Sequence, residues 1–265
     1  MSDRADALLR WYRRVRRPLP WRATRDPYAL LVSEVMLQQT QAARVVPYYE
    51  AFLARFPDAA TLAAAPARDV LAAWSGLGYN RRALALQAAA RAVAADGWPD
   101  DLTALPGVGP YTAAAVASFA WDEQRAAVDV NVRRVVERWD GRRHAPSELA
   151  ARAADLLPAG RAAEWNQALM ELGATVCTAR GADCGACPVA TWCASAGAPP
   201  PVAATTAPRP RFEDTDRFVR GRVVAALLAR EALPDLAPDR LERALAGLAR
   251  DGLIVRDEAG APALP

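Results

Sequence analysis

Leu105-Pro106-Gly107-Val108-Gly109-Pro110-Tyr111-Thr112 is the stretch on which the fold turns. Two glycines flanking one apolar residue predict a tight turn between helices. The N-terminus of the helix that follows offers free N–H groups and a positive dipole end. Such a terminus suits a phosphate oxygen. Alone, a Gly-x-Gly turn is usually a plain helix connector, so its meaning depends on what surrounds it. Downstream lies Ala127-Val128-Asp129-Val130-Asn131-Val132-Arg133-Arg134-Val135, with Asp129 at the expected start of a helix. Asp129 has two readings there: a helix N-cap, or a partly buried carboxylate facing a reacting centre.

Further along, all four cysteines fall together, as Cys177, Cys184, Cys187 and Cys193, spaced C-x6-C-x2-C-x5-C. Met1 to Arg10 is polar and charged, with no apolar signal-peptide region. A cytoplasmic protein rarely keeps disulfides, so a metal centre is the expectation. The spacing fits a cubane iron–sulfur cluster held by four cysteines. Zinc is the rival, although zinc ribbons show two C-x2-C knuckles and this loop has one.

Almost every periodic segment predicts helix. These are Arg4–Val15, Tyr28–Gln39, Ala42–Phe56, Pro66–Trp74, Arg81–Ala95, Tyr111–Phe119, Asn131–Trp139, Ser147–Leu157 and Ala163–Val176, with Pro or Gly between them. The expected core is all-α, with many short helices. Residues 196–211 are rich in Pro and Ala, with no period, and read as a linker. Beyond it, Thr215–Arg230 and Asp239–Arg250 predict two helices and residues 251–256 a short strand. Residues 212–265 are therefore a small winged-helix-like unit or a tail packed on the core.

At 265 residues, 52% hydrophobic and 24% charged, the chain has the composition of a soluble globular protein. No apolar run approaches the roughly 20 residues of a membrane span. A net charge of +3 permits a polyanion partner without demanding one. All 33 basic residues are arginine. No side chain can therefore form a Schiff base.

With hairpin, Asp129 and cysteine quartet in this order, the chain resembles the helix-hairpin-helix DNA glycosylases that carry an iron–sulfur cluster. The resemblance spans about residues 10 to 195. Bifunctional members place a lysine nucleophile two residues after the second hairpin glycine, where this chain has Tyr111. Val32-Ser33-Glu34-Val35-Met36-Leu37-Gln38-Gln39-Thr40-Gln41 is similar to the active-site helix of the adenine DNA glycosylases, the MutY family. Pro20-Trp21-Arg22, Asp26-Pro27-Tyr28, Gly76-Leu77-Gly78-Tyr79 and the run Trp165 to Gly173 match it as well.

The resemblance implies an all-α helix-hairpin-helix glycosylase fold, with a six-helix barrel at about 24–132. Residues 1–23 and 133–195 then form an iron–sulfur domain. It implies one [4Fe-4S] cluster on Cys177, Cys184, Cys187 and Cys193. The implied partner is double-stranded DNA containing adenine opposite 8-oxoguanine or guanine, bound by a cytoplasmic monomer with no membrane. Glu34 would be the acid, Asp129 the stabiliser of the sugar cation, and Tyr111 and Asn131 their positioning groups. As bare residues, Glu34 could be a buried structural carboxylate and Tyr79 a packed loop tyrosine. Trp21, Leu37 and Gln167 would line the adenine pocket, with Arg16 or Arg17 at its rim. Gln39, Thr40 and Tyr79 would fill the gap left by the flipped base, while Gly107, Val108 and Gly109 grip the backbone. Arg81, Arg82, Arg133, Arg134 and Arg180 are candidate phosphate contacts.

Two departures stand out. Most adenine glycosylases carry a larger, Nudix-like C-terminal domain with a Phe-Ser-His contact for the oxidised base. Here the tail is short and the sole histidine is His144. Val130 and Asn80 also differ from the usual residues. The rival functions are a thymine or uracil mismatch glycosylase on the same scaffold, and a non-catalytic DNA-binding protein.

Overall fold

The computed structural model describes residues 3–197, 211–257 and 260–265. Most of the expected linker, residues 198–210, lies outside them. The helices are α1 (Asp3–Val15), α2 (Pro27–Leu37), α3 (Ala42–Arg55), α4 (Ala59–Ala64), α5 (Ala67–Trp74) and α6 (Arg81–Asp96). They continue as α7 (Pro110–Trp121), α8 (Val130–Asp140), α9 (Pro146–Asp155), α10 (Ala162–Thr175), α11 (Asp216–Ala229) and α12 (Pro238–Arg250). A hairpin of β1 (Val255–Arg256) and β2 (Pro262–Ala263) follows. The all-α reading holds.

Backbone contacts divide the chain into two compact units, Met1–Glu34 with Val108–Thr205, and Val35–Gly107 with Thr206–Pro265. In the first, α8 turns Val132, Val135, Val136 and Trp139 to one side. That spacing is the apolar stripe of a helix facing a core. Leu8, Leu9 and Tyr12 of α1 and Trp165, Leu169 and Leu172 of α10 complete the cluster. Three of the four cysteines pack on its edge. A smaller cluster joins Leu30 of α2 to Ala115 and Phe119 of α7.

In the second unit, Phe52 of α3 meets Trp74 of α5 edge-on at 5.9 Å between ring centroids. The helix α4 was not predicted. It carries one buried apolar residue, Leu62, so no period announces it. Its start is fixed by the Asp58 carboxylate accepting from the Thr61 N–H at 2.7 Å. Gln87 of α6 donates to the carbonyls of Leu62 and Ala65 and ties down its end. The helices α11 and α12 and the hairpin supply the expected C-terminal elements. The strand is shorter than predicted because Gly252 turns the chain at φ +67°, and pairing begins only at Val255.

Candidate active site

Glu34 sits in α2, a helix of otherwise mostly apolar residues. Its neighbours Leu30, Leu31, Val32, Val35 and Met36 are all buried, and Glu34 itself is 4% exposed. Burial pushes its carboxyl pKa up to about 7. A hydrogen bond from the Tyr111 hydroxyl opposes that rise, and the charge of Asp129 adds to it. Its Oε2 atom has no hydrogen-bond partner among the described residues. A carboxyl that titrates near neutral pH, with one oxygen unpartnered, can pass a proton to an acceptor placed against it.

Tyr111 reaches Glu34 from the first turn of α7, directly after the glycine turn. Burial, helped by the two carboxylates, raises its hydroxyl pKa well above the ordinary value. It therefore stays protonated and can only hold or orient.

Asp129 takes the helix-cap place that one of its readings gave it. It is the N-cap of α8, its Oδ1 accepting from the N–H groups of Asn131 (2.9 Å) and Val132 (2.7 Å). Its Oδ2 accepts from the Asn131 side-chain amide at 2.8 Å. The same carboxylate lies close enough to Glu34 and Tyr111 to act on both electrostatically. Asn131 is held in turn by Arg134, whose Nη2 donates to Asn131 Oδ1 (2.8 Å) and to the Gly173 carbonyl (2.6 Å). Gly173 has a reason to be glycine: an added Cβ would stand 2.6 Å from the Cβ of Asn131. Four predicted residues, Glu34, Tyr111, Asp129 and Asn131, are thus brought together. Arg134 and Gly173 were missed as supports. The quoted run ending at Gly173 was the available signal, but a glycine in a helix names no partner.

The expected pocket residues are less gathered. Trp21 is buried in the 3₁₀ turn Pro20–Arg22. Gln167 accepts from the Tyr12 hydroxyl at 2.6 Å and lines a polar cleft with Arg16, Arg22, Thr24 and Arg161. Neither Glu34 nor Trp21 lines that cleft. Arg17 is committed elsewhere, forking onto Glu171 with two contacts of 2.8 Å, beside Arg22 at 2.6 Å. Burial works against the Glu171 charge, but the two guanidiniums keep its pKa below the usual carboxylate value. Leu37 ends α2, one turn beyond Glu34.

At the hairpin, Gly107 has φ +75°, and an added Cβ would meet Ala85 Cβ at 2.7 Å. Gly109 caps α7 with Pro110 as its first residue, and Val108 is 7% exposed. Gln39 and Tyr79 are both exposed and both hold left-handed backbone, at φ 59° and 48°. Such conformations cost energy in non-glycine residues and persist only where neighbours impose them. Arg82 does so. Its Nη1 donates to the carbonyls of Val35, Met36 and Gln38, and its Nη2 to Gly78 and Thr40 Oγ1. Arg82 and Arg134 are therefore not the free phosphate contacts that their sequence positions suggested.

None of the four cysteines is paired in a disulfide. All four line one cavity of about 90 Å³, walled by Arg138, Trp139, Leu172 and Val176. Arg138 donates to Cys177 Sγ at 3.2 Å. The N–H groups of Val189 and Ser195 serve the sulfurs of Cys187 and Cys193. Among the described residues no three such side chains meet at a point where a single ion could bind. Four thiols ringing one cavity, three of them with a nearby donor, have the chemistry of a set that could hold a metal cluster. Arg134 reaches this loop as well, donating from Nε to the Cys177 carbonyl at 2.8 Å.

Residues 32–159 match the family described as HhH-GPD superfamily base excision DNA repair protein. The chain is 46% identical to an adenine DNA glycosylase of Mycobacterium tuberculosis, over 97% of this chain and 92% of the relative. It is 44% identical to that of Mycolicibacterium smegmatis, over 100% and 97%. A human adenine DNA glycosylase is 42% identical over 71% of this chain and 38% of its own length. Among solved structures, a thermostable thymine-DNA glycosylase superposes with a TM-score of 0.67 at 31% identity, covering 72% of this chain and 93% of the other. An endonuclease III–DNA covalent intermediate gives 0.63 at 22% identity, over 74% and 98%, which speaks to the fold alone.

Proposed function

The chain belongs to the adenine DNA glycosylase family, within the HhH-GPD superfamily of base excision DNA repair proteins, and from that premise we propose how it acts. It is an adenine-specific DNA glycosylase that hydrolyses the N-glycosidic bond of adenine opposite 8-oxoguanine or guanine in duplex DNA. The observation that carries this reading is the Glu34 carboxyl, buried, raised to about 7, and with Oε2 unpartnered.

Adenine is a poor leaving group until protonated, and the transition state resembles an oxocarbenium ion, as in glycoside hydrolysis. The base is first flipped out of the stack. Glu34 then donates its proton to adenine N7, and the C–N bond breaks with its electron pair leaving on the base. Asp129 stabilises the sugar cation from its cap position. Its oxygens are already bonded by two backbone N–H groups and Asn131, so it needs no reorganisation. Water completes the hydrolysis. With no lysine in the chain, no side-chain imine forms and the DNA strand stays intact.

Cys177, Cys184, Cys187 and Cys193 would hold one [4Fe-4S] cluster, which supplies a fixed, charged anchor for their loop rather than chemistry at the sugar. The hairpin Gly107–Gly109, with Gln39, Thr40 and Tyr79, would meet the duplex. We further infer that the protein acts as a cytoplasmic monomer.

Single-turnover release from four labelled duplexes tests this: adenine opposite 8-oxoguanine, guanine or cytosine, and thymine opposite guanine. Adenine release with strand breaks only after alkali is expected. The likeness to a thymine-DNA glycosylase gives the rival outcome: thymine release that survives Glu34→Gln.

A further inference from the structure

The C-terminal unit reaches Tyr79. Arg217, in the first turn of α11, donates from Nη1 to the Tyr79 hydroxyl at 2.6 Å. Its guanidinium lies 5.0 Å from the Tyr79 ring centroid, and that of Arg82 lies 5.5 Å from the same ring. An exposed tyrosine in left-handed backbone is thus gripped by two guanidiniums, one of them from outside the glycosylase core. Arg217 also lies 4.9 Å from the ring of Phe212, which is 48% exposed. Phe212 is not loose. Its ring packs edge-on to Phe218 at 5.6 Å, and its carbonyl accepts from the Thr215 hydroxyl at 2.6 Å. Thr215 in turn caps α11.

We infer that Arg217 is a positioning residue for Tyr79, and that Tyr79, Arg217 and Phe212 form one surface that reads the base opposite the adenine. The inference rests on Tyr79 being the residue that enters the duplex. Two exposed aromatic faces bridged by a guanidinium suit a nucleobase, which stacks on both kinds of group. Exposed Glu213, Asp214 and Asp216 adjoin them, so this turn repels phosphates and favours contact with a base. Arginine carries five N–H donors. With one spent on Tyr79, the fork retains donors for the acceptor edge of a purine. A short appendage with no Nudix-like sequence would thereby share in choosing the opposing base.

The test uses the full-length, cluster-loaded protein and four variants: Arg217→Ala, Arg217→Lys, Tyr79→Phe and the double variant Arg217→Ala/Tyr79→Phe. Duplex affinity is read with an uncleavable adenine analogue opposite 8-oxoguanine, guanine or cytosine, and adenine release is read in single turnover. Arg217→Ala should weaken binding roughly tenfold opposite the two purines and less opposite cytosine. It should also shift the ratio of release rates between 8-oxoguanine and guanine. Tyr79→Phe, which keeps the ring and loses the hydroxyl, should give part of the loss, and the double variant should add little to Arg217→Ala. Arg217→Lys should restore part of it. Equal weakening opposite all three bases, or losses that simply add, would overturn the inference. So would wild-type affinity in Arg217→Ala. Failure of the wild type to release adenine would instead sink the enzymatic reading, and the affinities alone would still judge Arg217.

Discussion

Replacing Glu34 by Gln separates a strained catalytic acid from a contented structural carboxylate. A buried group whose pKa rises from 4.5 to about 7 binds its proton more tightly in the folded chain than in the unfolded one. Its contribution is fully present below pH 4.5 and is lost as pH rises through 7. At about 1.4 kcal/mol per pKa unit, the total loss is on the order of 3 kcal/mol. Roughly 0.8 kcal/mol of it has gone by pH 5 and nearly all by pH 8. Gln does not titrate. Its extra buried amide N–H groups impose a cost of about 1–3 kcal/mol, but one that is the same at every pH. The stability of Glu34→Gln relative to wild type should therefore improve by about 2.5 kcal/mol between pH 5 and pH 8. Urea unfolding of both cluster-loaded proteins at several pH values reads it, and the other titrating groups cancel in the difference. A difference flat with pH would refute the reasoning, because it would mean that the carboxylate is as well solvated in the folded protein as in water. A Glu34→Gln deficit that widens with rising pH would show a stabilised anion, and Glu34 could not be the acid.

Adenine release by the wild type should fall roughly tenfold per pH unit above about pH 7, as Glu34 loses its proton; a rate still rising at pH 8.5 contradicts this. Asp129→Asn keeps a cap side chain of equal quality, so the melting temperature should hold within about 2 °C while single-turnover release drops at least 10²-fold. Gly173→Ala drives a Cβ into Asn131 and should cost about 1–3 kcal/mol in urea unfolding, with slower release; no change in either would mean α10 can shift freely. Cys184→Ser should lose the broad visible absorption of the cluster and its bound iron. Retained colour with full iron would remove that cysteine from the ligand set.

Much of this was legible along the chain because the relevant signals are local. The hairpin glycines, the Asp129 cap and the α8 stripe each announce themselves within one helical turn. Glu34 stood out through the resemblance of its helix to that of the adenine glycosylases, since a lone carboxylate in an apolar helix is by itself equally a structural group. What could not be read was anything set by distant partners. Arg82 and Arg134 looked like surface charges by position, yet both turn inward onto backbone carbonyls. Arg17 looked like a pocket rim and is bound to Glu171 instead. The contact of Arg217 with Tyr79 spans more than a hundred residues, and no periodicity in either segment points to the other. The helix α4 hid for the opposite reason, being too short and too rich in alanine to show a period.

The cap at Asp129 has a bearing on how such a chain can drift. One atom of that carboxylate starts a helix, and the same group is proposed to do chemistry, so selection for folding and selection for repair coincide there. A lineage that abandoned catalysis would still need an acceptor at 129, but Asn or Ser would serve. Among descendants of this scaffold, an amide or hydroxyl at that place would mark a retired enzyme that still folds, and a retained carboxylate one still at work.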